Sequence, residues 1–231
     1  MTQTDEQKKA VGEAAAALVE SGMIVGLGTG STAVWFVRAL AARVQAEKLD
    51  VRGVATSRAT ESLAEVLAIP LLELNQVAID LTIDGADEIG PGLQLIKGAG
   101  GALLREKLVW EASKRCVVIA DAAKRVSRLG AFPLPIEVVA FGHESTALRI
   151  CDALSECDLG AAPRLRIRDG EVVTTDSGNL IYDVACGAIE EPSLLANTLK
   201  SVTGVVEHGL FLDLADEGLI AGESGVQRLS P

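Results

Sequence analysis

Three short polar motifs contain most of the residues in this chain that could do chemistry. They are residues 26–32 (GLGTGST), residues 84–88 (DGADE) and residues 97–101 (KGAGG), the last with Glu106 shortly after it. Each motif follows an apolar run typical of a strand, so we expect all three at the edge where the strands of one parallel sheet end. A glycine loop, carboxylates and a lysine at one edge suit proton transfer on a small phosphorylated molecule.

The glycine-rich motif predicts a phosphate site. Glycines let backbone amides approach a ligand closely, and the amides that begin the next helix attract anions. Thr29, Ser31 and Thr32 add hydroxyl donors around Gly30. A dinucleotide fingerprint needs a third glycine where Ser31 stands and an acidic residue at the end of the second strand, which instead ends VATS. A dinucleotide site and a plain structural turn are the less favoured alternatives.

The DGADE motif places Asp84 at the end of an apolar strand, followed by Gly85, Ala86 and Asp87. An acidic side chain at a strand end is a better candidate for substrate contact than a random surface acid. We expect these carboxylates to contact sugar hydroxyl groups or to transfer protons. A magnesium ion held by the carboxylates and an ordinary solvated loop are the alternatives.

Lys97 and Glu106 are the candidates for charge stabilisation and for a catalytic base. After Lys97, the run of Gly98, Ala99 and Gly100 lets the backbone fold closely around a ligand. Desolvation raises the pKa of a carboxyl group and a nearby lysine lowers it, so together they can tune Glu106 for work near neutral pH. The alternative is an exposed helical glutamate favoured by the helix dipole.

Lys124 follows a further apolar run that ends at Asp121. It could supply a second positive contact to an anionic ligand, or it could be an ordinary surface lysine. The favoured interpretation of these motifs requires no metal or redox cofactor.

Composition limits the class of protein. The chain has 231 residues, 48% of them hydrophobic and only 3% aromatic, so we expect an aliphatic core. A net charge of −11 without a block of Lys or Arg argues against nucleic-acid and anionic-membrane partners. No uncharged run reaches the roughly 18 residues of a membrane helix. The four cysteines form no Cys-x-x-Cys pair, and Cys116 lies in an apolar run typical of a core. We expect reduced thiols and a cytoplasmic protein.

Strand and helix patterns alternate in the first 130 residues. We predict helices at residues 6–20, 33–44, 58–67 and 102–113, the second capped by Ser31 or Thr32, and strands at residues 23–27, 51–55, 79–83, 93–96 and 116–120. This alternation is typical of a parallel sheet with helices on both faces.

The pattern changes near Gly130. Residues 132–135 (FPLP) predict a stiff hinge or boundary, because proline restricts itself and the residue before it. Beyond it we predict strands at residues 136–141, 165–167, 172–174, 180–185 and 205–212, and helices at residues 145–155 and 192–202. The predicted fold is α/β, with a Rossmann-like catalytic domain of residues 1–130 and 203–231 and a smaller inserted ferredoxin-like α+β domain of residues 131–202.

Taken together and in order, these motifs resemble those of the type A ribose-5-phosphate isomerase family. The matching segments are GLGTGST (26–32), TIDGADE (82–88), KGAGGALLREK (97–107), DAAK (121–124), FPLPIE (132–137) and GVV (204–206). The resemblance covers essentially the whole chain. It implies interconversion of ribose 5-phosphate and ribulose 5-phosphate in the non-oxidative pentose phosphate pathway. It also implies an enzyme without a cofactor, usually a homodimer and sometimes a tetramer.

The resemblance implies roles for the motif residues as well. Glu106 would be the base that moves a proton between C1 and C2 of the sugar, and the chemistry agrees, since one carboxylate can take that proton and return it. Lys97 or loop amides would stabilise the enediolate, and Asp84 would help to open the sugar ring or shuttle a hydroxyl proton. The implied substrate contacts are Thr29, Gly30, Ser31, Thr32, Asp84, Gly85, Ala86, Asp87, Lys97, Gly98, Ala99, Gly100 and Lys124.

Two other functions compete with this interpretation. A related acyl-coenzyme A transferase would use the glutamate to attack a thioester and form a covalent adduct. A sugar-phosphate sensor would bind its ligand without turnover, but such regulators usually carry a DNA-binding domain, for which this chain has neither room nor a basic surface. Which lysine serves the phosphate and which the enediolate stays open.

Overall fold

The computed structural model describes residues 2–75 and 77–231. Within them the helices are α1 (Gln3–Ala16), α2 (Ala33–Glu47), α3 (Arg58–Val66), α4 (Leu103–Glu111), α5 (His143–Glu156) and α6 (Pro192–Ser201). The strands are β1 (Ile24–Leu27), β2 (Arg52–Ala55), β3 (Leu81–Gly85), β4 (Glu88–Ile89), β5 (Leu95–Ile96), β6 (Cys116–Asp121), β7 (Leu134–Val138), β8 (Arg164–Leu165), β9 (Ile167–Arg168), β10 (Glu171–Val172), β11 (Leu180–Val184), β12 (Val205–His208), β13 (Leu210–Phe211), β14 (Glu217–Gly222) and β15 (Gly225–Leu229).

The chain divides into two compact units. The first contains the chain up to Ala86 together with residues 105–125 and 213–231, and the second contains residues 87–104 and 126–212. The predicted domain limits stay a prediction. The compact units differ from them by placing residues 87–104, 126–130 and 203–212 with the second unit.

The first unit is built on a six-stranded sheet in the order β15-β14-β6-β3-β1-β2. Its neighbours pair in parallel except β15, which pairs antiparallel with β14. This confirms the Rossmann-like α/β prediction. Because β2 lies on one side of β1 and β3 on the other, the strand order reverses between β1 and β3. Open sheets of this kind bind ligands at that point, beyond the carboxyl ends of the strands.

The core of the first unit is aliphatic, as composition predicts. Val25, Ile83 and Val117 from three neighbouring strands pack with residues of α1 and α2, and Phe36 is a rare aromatic member. Each fully buried aliphatic side chain stabilises the fold by about 1.5–3 kcal/mol. Cys116 is also buried, which confirms its prediction as a core residue.

The second unit contains a four-stranded antiparallel sheet in the order β12-β7-β11-β8. The helices α5 and α6 fall between the first and second and between the third and fourth of these strands in the chain. This is the ferredoxin-like arrangement that the sequence predicts. Its core is again mainly aliphatic and includes Ile136, Ile150 and Leu195.

Residues 132–135, predicted as a hinge or boundary, lie within the second compact unit and not between the two units. Leu134 and Pro135 begin β7, an inner strand of the second unit, and the chain passes between units at Arg125 and Val126. Proline has no N–H for a strand ladder, but its carbonyl still pairs, and the Pro135 oxygen accepts from the Gly209 amide at 2.8 Å. The residue type therefore marked a restricted backbone and not a break in the chain.

Two further strand predictions need correction, and one hairpin lies outside the predicted strands. Lys97 follows β5, which pairs antiparallel with β4 and β13 in a separate small sheet, so it does not follow a strand of the parallel sheet. The single strand predicted at residues 205–212 is two strands in different sheets. The hairpin of β14 and β15 was not predicted. Strands of two residues are too short for periodicity to identify their partners.

Two helix predictions also change. The first helix is Gln3–Ala16, so it begins and ends earlier than the predicted residues 6–20. Thr32 is the N-cap of α2, but its backbone is already helical (φ −82°, ψ −43°) and its side chain makes no capping hydrogen bond. A capping side chain needs extended backbone to reach the first amides of its helix.

No helix within the described residues combines the length and apolar character needed to cross a membrane.

Glu137 on β7 is a buried carboxyl group, with 1% of its surface exposed. Its Oε1 accepts hydrogen bonds from Thr175 Oγ1 at 2.8 Å and Asn179 Nδ2 at 2.9 Å. Burial raises the pKa of Glu137 despite these bonds, and the charge of Glu207, its register partner on β12, acts in the same direction. The ionised side chain is thus a cost to the folded state.

We expect Glu137→Gln to gain stability relative to the unsubstituted protein as pH rises. In the unfolded chain the carboxyl group titrates near pH ~4.3. Its folded pKa is higher, so the folded state binds more protons across this window and the unsubstituted protein loses stability as pH rises through it. Glutamine keeps an acceptor oxygen and carries no charge.

The measurement is urea unfolding of both proteins at a series of pH values from about 4 to 8. Glu156→Gln, on the exposed surface of α5, removes the same charge without burial and serves as the control. A difference between Glu137→Gln and the unsubstituted protein that stays constant with pH would contradict the argument.

Candidate active site

The glycine loop joins β1 to α2 at the carboxyl edge of the parallel sheet. Gly30 has a φ of 105°, a conformation that glycine adopts without strain. Gly30 and Ser31 are exposed, whereas Thr29 and Thr32 are half-buried. The tip of the loop is therefore accessible, as a phosphate-binding loop must be.

Gly28 and Asp84 lie in very close contact across the gap between β1 and β3. A Cβ atom at position 28 would lie 2.3 Å from Asp84 Oδ1 and 2.5 Å from its Cα. The same Oδ1 accepts from the amide of Thr29 at 2.9 Å and of Gly85 at 2.7 Å. Asp84 has no exposed surface. A buried carboxylate needs such donors to replace water, so the missing side chain at Gly28 lets the loop supply one.

Four hydroxyl side chains form a hydrogen-bonded group at the buried side of the glycine loop. Thr29 Oγ1 lies 2.7 Å from Thr56 Oγ1, 2.8 Å from Ser57 Oγ and 3.1 Å from Thr60 Oγ1. Thr60 Oγ1 also donates to the Gly28 carbonyl at 2.9 Å. Ser57 is the N-cap of α3. Sequence reasoning missed these residues because it examined the end of the second strand only for an acidic side chain.

Lys8 of α1 is a second residue that sequence reasoning missed. Its Nζ donates to Ser31 Oγ at 3.0 Å, which places a positive charge beside the exposed part of the glycine loop. Lys8 belongs to no motif and lies 23 positions from Ser31 in the chain, so the sequence does not predict their contact. The electrostatic field at the loop is nonetheless more favourable to an anion than the loop alone provides.

Glu106 lies in the first turn of α4 with only 5% of its surface exposed. This excludes the alternative of a solvated helical glutamate. A carboxyl group buried near a helix N-terminus is a candidate for proton transfer.

Lys124 ends a short 3-10 turn directly after β6, and β6 is the neighbour of β3 in the sheet. It is half-buried. Asp121, the last residue of β6, accepts from the Ala123 amide at 3.1 Å and so shapes this turn. Lys124 thus follows a strand that ends at the same edge as β1 and β3.

The second unit contains the rest of the predicted site. Lys97 is 2% exposed, its amide donates to the Gly209 carbonyl at 2.9 Å, and its Nζ lies 5.4 Å from the centre of the Phe211 ring, a cation–π contact. The Ala99 amide donates to Asp87 Oδ2 at 2.9 Å. The Lys97 loop, residues 97–101, is thereby tied to Asp87 of the preceding motif.

The predicted residues therefore form two groups. In the first unit the structure joins Thr29 to Asp84 by a hydrogen bond, and the same unit holds Gly30, Ser31, Thr32, Gly85, Ala86, Glu106 and Lys124. In the second unit it joins Asp87 to Ala99, beside Lys97, Gly98 and Gly100. Over the described ranges, no cluster of three or more His, Cys, Asp or Glu side chains could hold a metal ion.

A family model and the curated relatives agree on one family. The family model for ribose 5-phosphate isomerase A (phosphoriboisomerase A) matches residues 52–225. A curated relative from Caulobacter sp. (strain K31), named ribose-5-phosphate isomerase A, is 66% identical over 228 residues, which cover 98% of this chain and 99% of the relative. A relative of the same name from Synechococcus sp. (strain JA-3-3Ab) is 50% identical over 232 residues, with 99% of each chain covered.

Solved structures agree with the sequence relatives. The ribose 5-phosphate isomerase from Plasmodium falciparum superposes with a TM-score of 0.93 at 39% identity, covering 98% of this chain and 99% of that one. A D-ribose-5-phosphate isomerase in complex with phospho-erythronic acid superposes with a TM-score of 0.92 at 35% identity, covering 100% of both chains.

We expect Gly28→Ala to destabilise the protein by about 1–3 kcal/mol, because the added methyl group overlaps the buried Asp84 carboxylate. Urea unfolding measures the loss. The control is Gly160→Ala, where nothing lies within 4 Å of the new Cβ; it should change stability by less than about 0.5 kcal/mol. Equal effects of the two substitutions would show that the Gly28–Asp84 contact has no special weight.

Proposed function

The chain belongs to the ribose 5-phosphate isomerase A family and interconverts ribose 5-phosphate and ribulose 5-phosphate in the pentose phosphate pathway, and we propose that Glu106 transfers the proton in this reaction. The observation that carries the proposal is the burial of Glu106 at the start of α4. The reaction removes a weakly acidic proton from a carbon beside a carbonyl group, which requires a positioned base.

In the proposed reaction Glu106 moves one proton from C2 to C1 of the sugar. The Glu106 carboxylate takes the proton from C2 of the open aldose, and the electron pair forms the C1–C2 double bond of an enediolate with its charge on the C1 oxygen. Glu106 then returns the proton to C1, while the C2 hydroxyl loses its proton and becomes the ketone. The C1 oxygen gains a proton, so no electron leaves the substrate and no redox partner is needed.

Lys97 is the proposed partner of the enediolate oxygen. It is a nearly fully buried cation, and a fixed charge in a site of low dielectric stabilises a developing negative charge more than a solvated one does. Amides of Gly98 and Gly100 are the other proposed donors to the substrate in the second unit, because the Ala99 amide is bound to Asp87.

The glycine loop is the proposed phosphate site. The exposed Gly30 and Ser31, with Thr32, supply amide and hydroxyl donors, and Thr29 shapes the loop through its bonds to Asp84 and Ser57. Lys8 beside Ser31 supports this assignment, and we add Lys124 as the second cation. Binding energy at the phosphate then positions the reacting carbons.

Asp84 is the proposed group for ring opening, and Asp87 with Gly85 and Ala86 for contact with sugar hydroxyls. Opening the ring moves a proton from the anomeric hydroxyl to the ring oxygen, which an anchored carboxylate can assist. The hydrogen bonds from Thr29 and Gly85 hold one Asp84 oxygen in place.

The ligand of a solved relative supports these roles. Phospho-erythronic acid is, by its name, a sugar acid that carries a phosphate and a carboxylic acid group. Its planar, doubly oxygenated carboxylate resembles the enediolate, and compounds that resemble a reaction's intermediate bind tightly to a site built for it. We propose that this chain binds the same compound through the groups named above.

We expect Glu106→Gln to lose activity by about 100- to 10,000-fold while keeping its fold, because glutamine preserves shape but cannot accept the proton. The measurement is formation of ribulose 5-phosphate from ribose 5-phosphate, with circular dichroism as the check on folding. Glu111→Gln is the matched control, since Glu111 is exposed on the same helix. Normal turnover in Glu106→Gln would remove this residue from the base role.

The same assay tests the magnesium alternative for the DGADE motif. We propose that no metal is required, so activity should survive treatment with excess EDTA. Activity that EDTA removes and magnesium restores would favour the alternative instead.

We further propose a cytoplasmic homodimer. The family resemblance supports the dimer, and Phe141 and Leu148 of the second unit, which are 95% and 70% exposed, are apolar side chains that a second chain could cover. The four cysteines are all free thiols, which suits a reducing compartment. Light scattering should give twice the 24.0 kDa mass of one chain; a single-chain mass would contradict the dimer.

A further inference from the structure

The Lys97 loop has little to hold it in one conformation by itself. Three of its five residues are glycines, and Gly98 and Gly101 have φ values of 117° and 81°. Glycine loses more conformational freedom on ordering than other residues do. Within the loop, the Gly101 amide donates to the Gly98 carbonyl at 3.0 Å, and further order must come from groups outside it.

Arg166, between β8 and β9, is such a group. Its side chain is 9% exposed, and its Nη1 donates to the Gly98 carbonyl at 2.8 Å and to the Ala99 carbonyl at 3.3 Å. Asp183 on β11 holds the other side of the guanidinium, accepting from Nε at 2.8 Å and from Nη2. A guanidinium bound by both carboxylate oxygens has a fixed plane, so the two carbonyls are held in fixed directions.

The direction of the carbonyls decides the direction of the amides. In a trans peptide the C=O and N–H groups point opposite ways. The Gly98 carbonyl points to Arg166, and the N–H of the same peptide, that of Ala99, points to Asp87. The Ala99 carbonyl also faces Arg166, so the N–H of Gly100 is directed away from it. Gly100 is exposed.

We propose that the Arg166–Asp183 ion pair is a positioning device for the isomerase reaction. It holds the peptides on both sides of Ala99 so that one N–H binds Asp87 and the next, that of Gly100, is presented to the substrate. This rests on the proposed function, in which Asp87 and the Lys97 loop contact the sugar. A donor held in place before the reaction stabilises the enediolate without a cost of reorganisation.

Arg166→Met tests the proposal. We expect kcat for ribose 5-phosphate to fall by about 10- to 100-fold, with KM changing less, because a misplaced donor is lost mainly in the transition state. Arg166→Lys should stay impaired, since a single ammonium cannot bind Asp183 with two parallel bonds and also hold two carbonyls. Arg164→Met is the matched control: Arg164 is exposed on β8 and is the register partner of Asp183, and its loss should leave kcat within about twofold.

Two further readouts separate positioning from a general loss of structure. Ethylguanidinium at millimolar concentration should restore activity to Arg166→Ala and have no effect on Glu106→Gln. Amide hydrogen exchange should become faster in residues 97–101 of Arg166→Met and stay unchanged in Arg164→Met. Because the two residues act as one unit, the double variant of Arg166→Met and Asp183→Asn should be no slower than Arg166→Met alone.

Each result has one meaning. Normal kcat in Arg166→Met would overturn the positioning role. So would a fall in kcat that ethylguanidinium does not reverse and that a lower melting temperature of the variant fully explains. An unsubstituted protein that fails to isomerise ribose 5-phosphate would instead overturn the proposed function. Turnover that is lost in Glu106→Gln and normal in Arg166→Met would keep the function and reject the ion pair.

Discussion

The polar edge of the first unit depends on one buried charge. Asp84 lies one residue before the end of β3 and has no exposed surface, and a buried carboxylate is stable only where hydrogen bonds replace the water it has lost. The loop after β1 supplies one of these bonds through Thr29, which requires that residue 28 carry no side chain. The strand order reverses at the same place, where an open sheet leaves room for a ligand. The contacts that stabilise Asp84 therefore also fix the glycine loop after β1.

In the second unit a positively charged side chain orders the glycine loop, whereas in the first unit a carboxylate does so. The Arg166 guanidinium donates hydrogen bonds to carbonyls on one side of this loop, and Asp87 accepts an amide hydrogen bond on the other side. In both units the flexible glycine backbone permits close approach, and a charged side chain outside the loop selects one conformation. Glycine supplies the access, and the neighbouring charge supplies the order.

The motifs could be found in the sequence because the residues of each motif lie close together in the chain. Alternation of strands and helices indicates a parallel sheet, so the fold class and the positions of Gly30 and Asp84 at strand ends could be predicted. Lys8, Thr60 and Arg166 could not, since each reaches its loop from a position between 23 and 68 residues away in the chain. No local pattern encodes such contacts.

The amino-acid sequence alone determined the family, the reaction chemistry and the identity of the candidate base. Only the tertiary structure decided that Glu106 is buried, that Lys97 follows a small antiparallel sheet, and that Arg166 aims the amides beside it. The reason is physical: a residue's chemical type is a local property, whereas its burial, its charged neighbours and the direction of its peptide group depend on chain segments that meet only after folding.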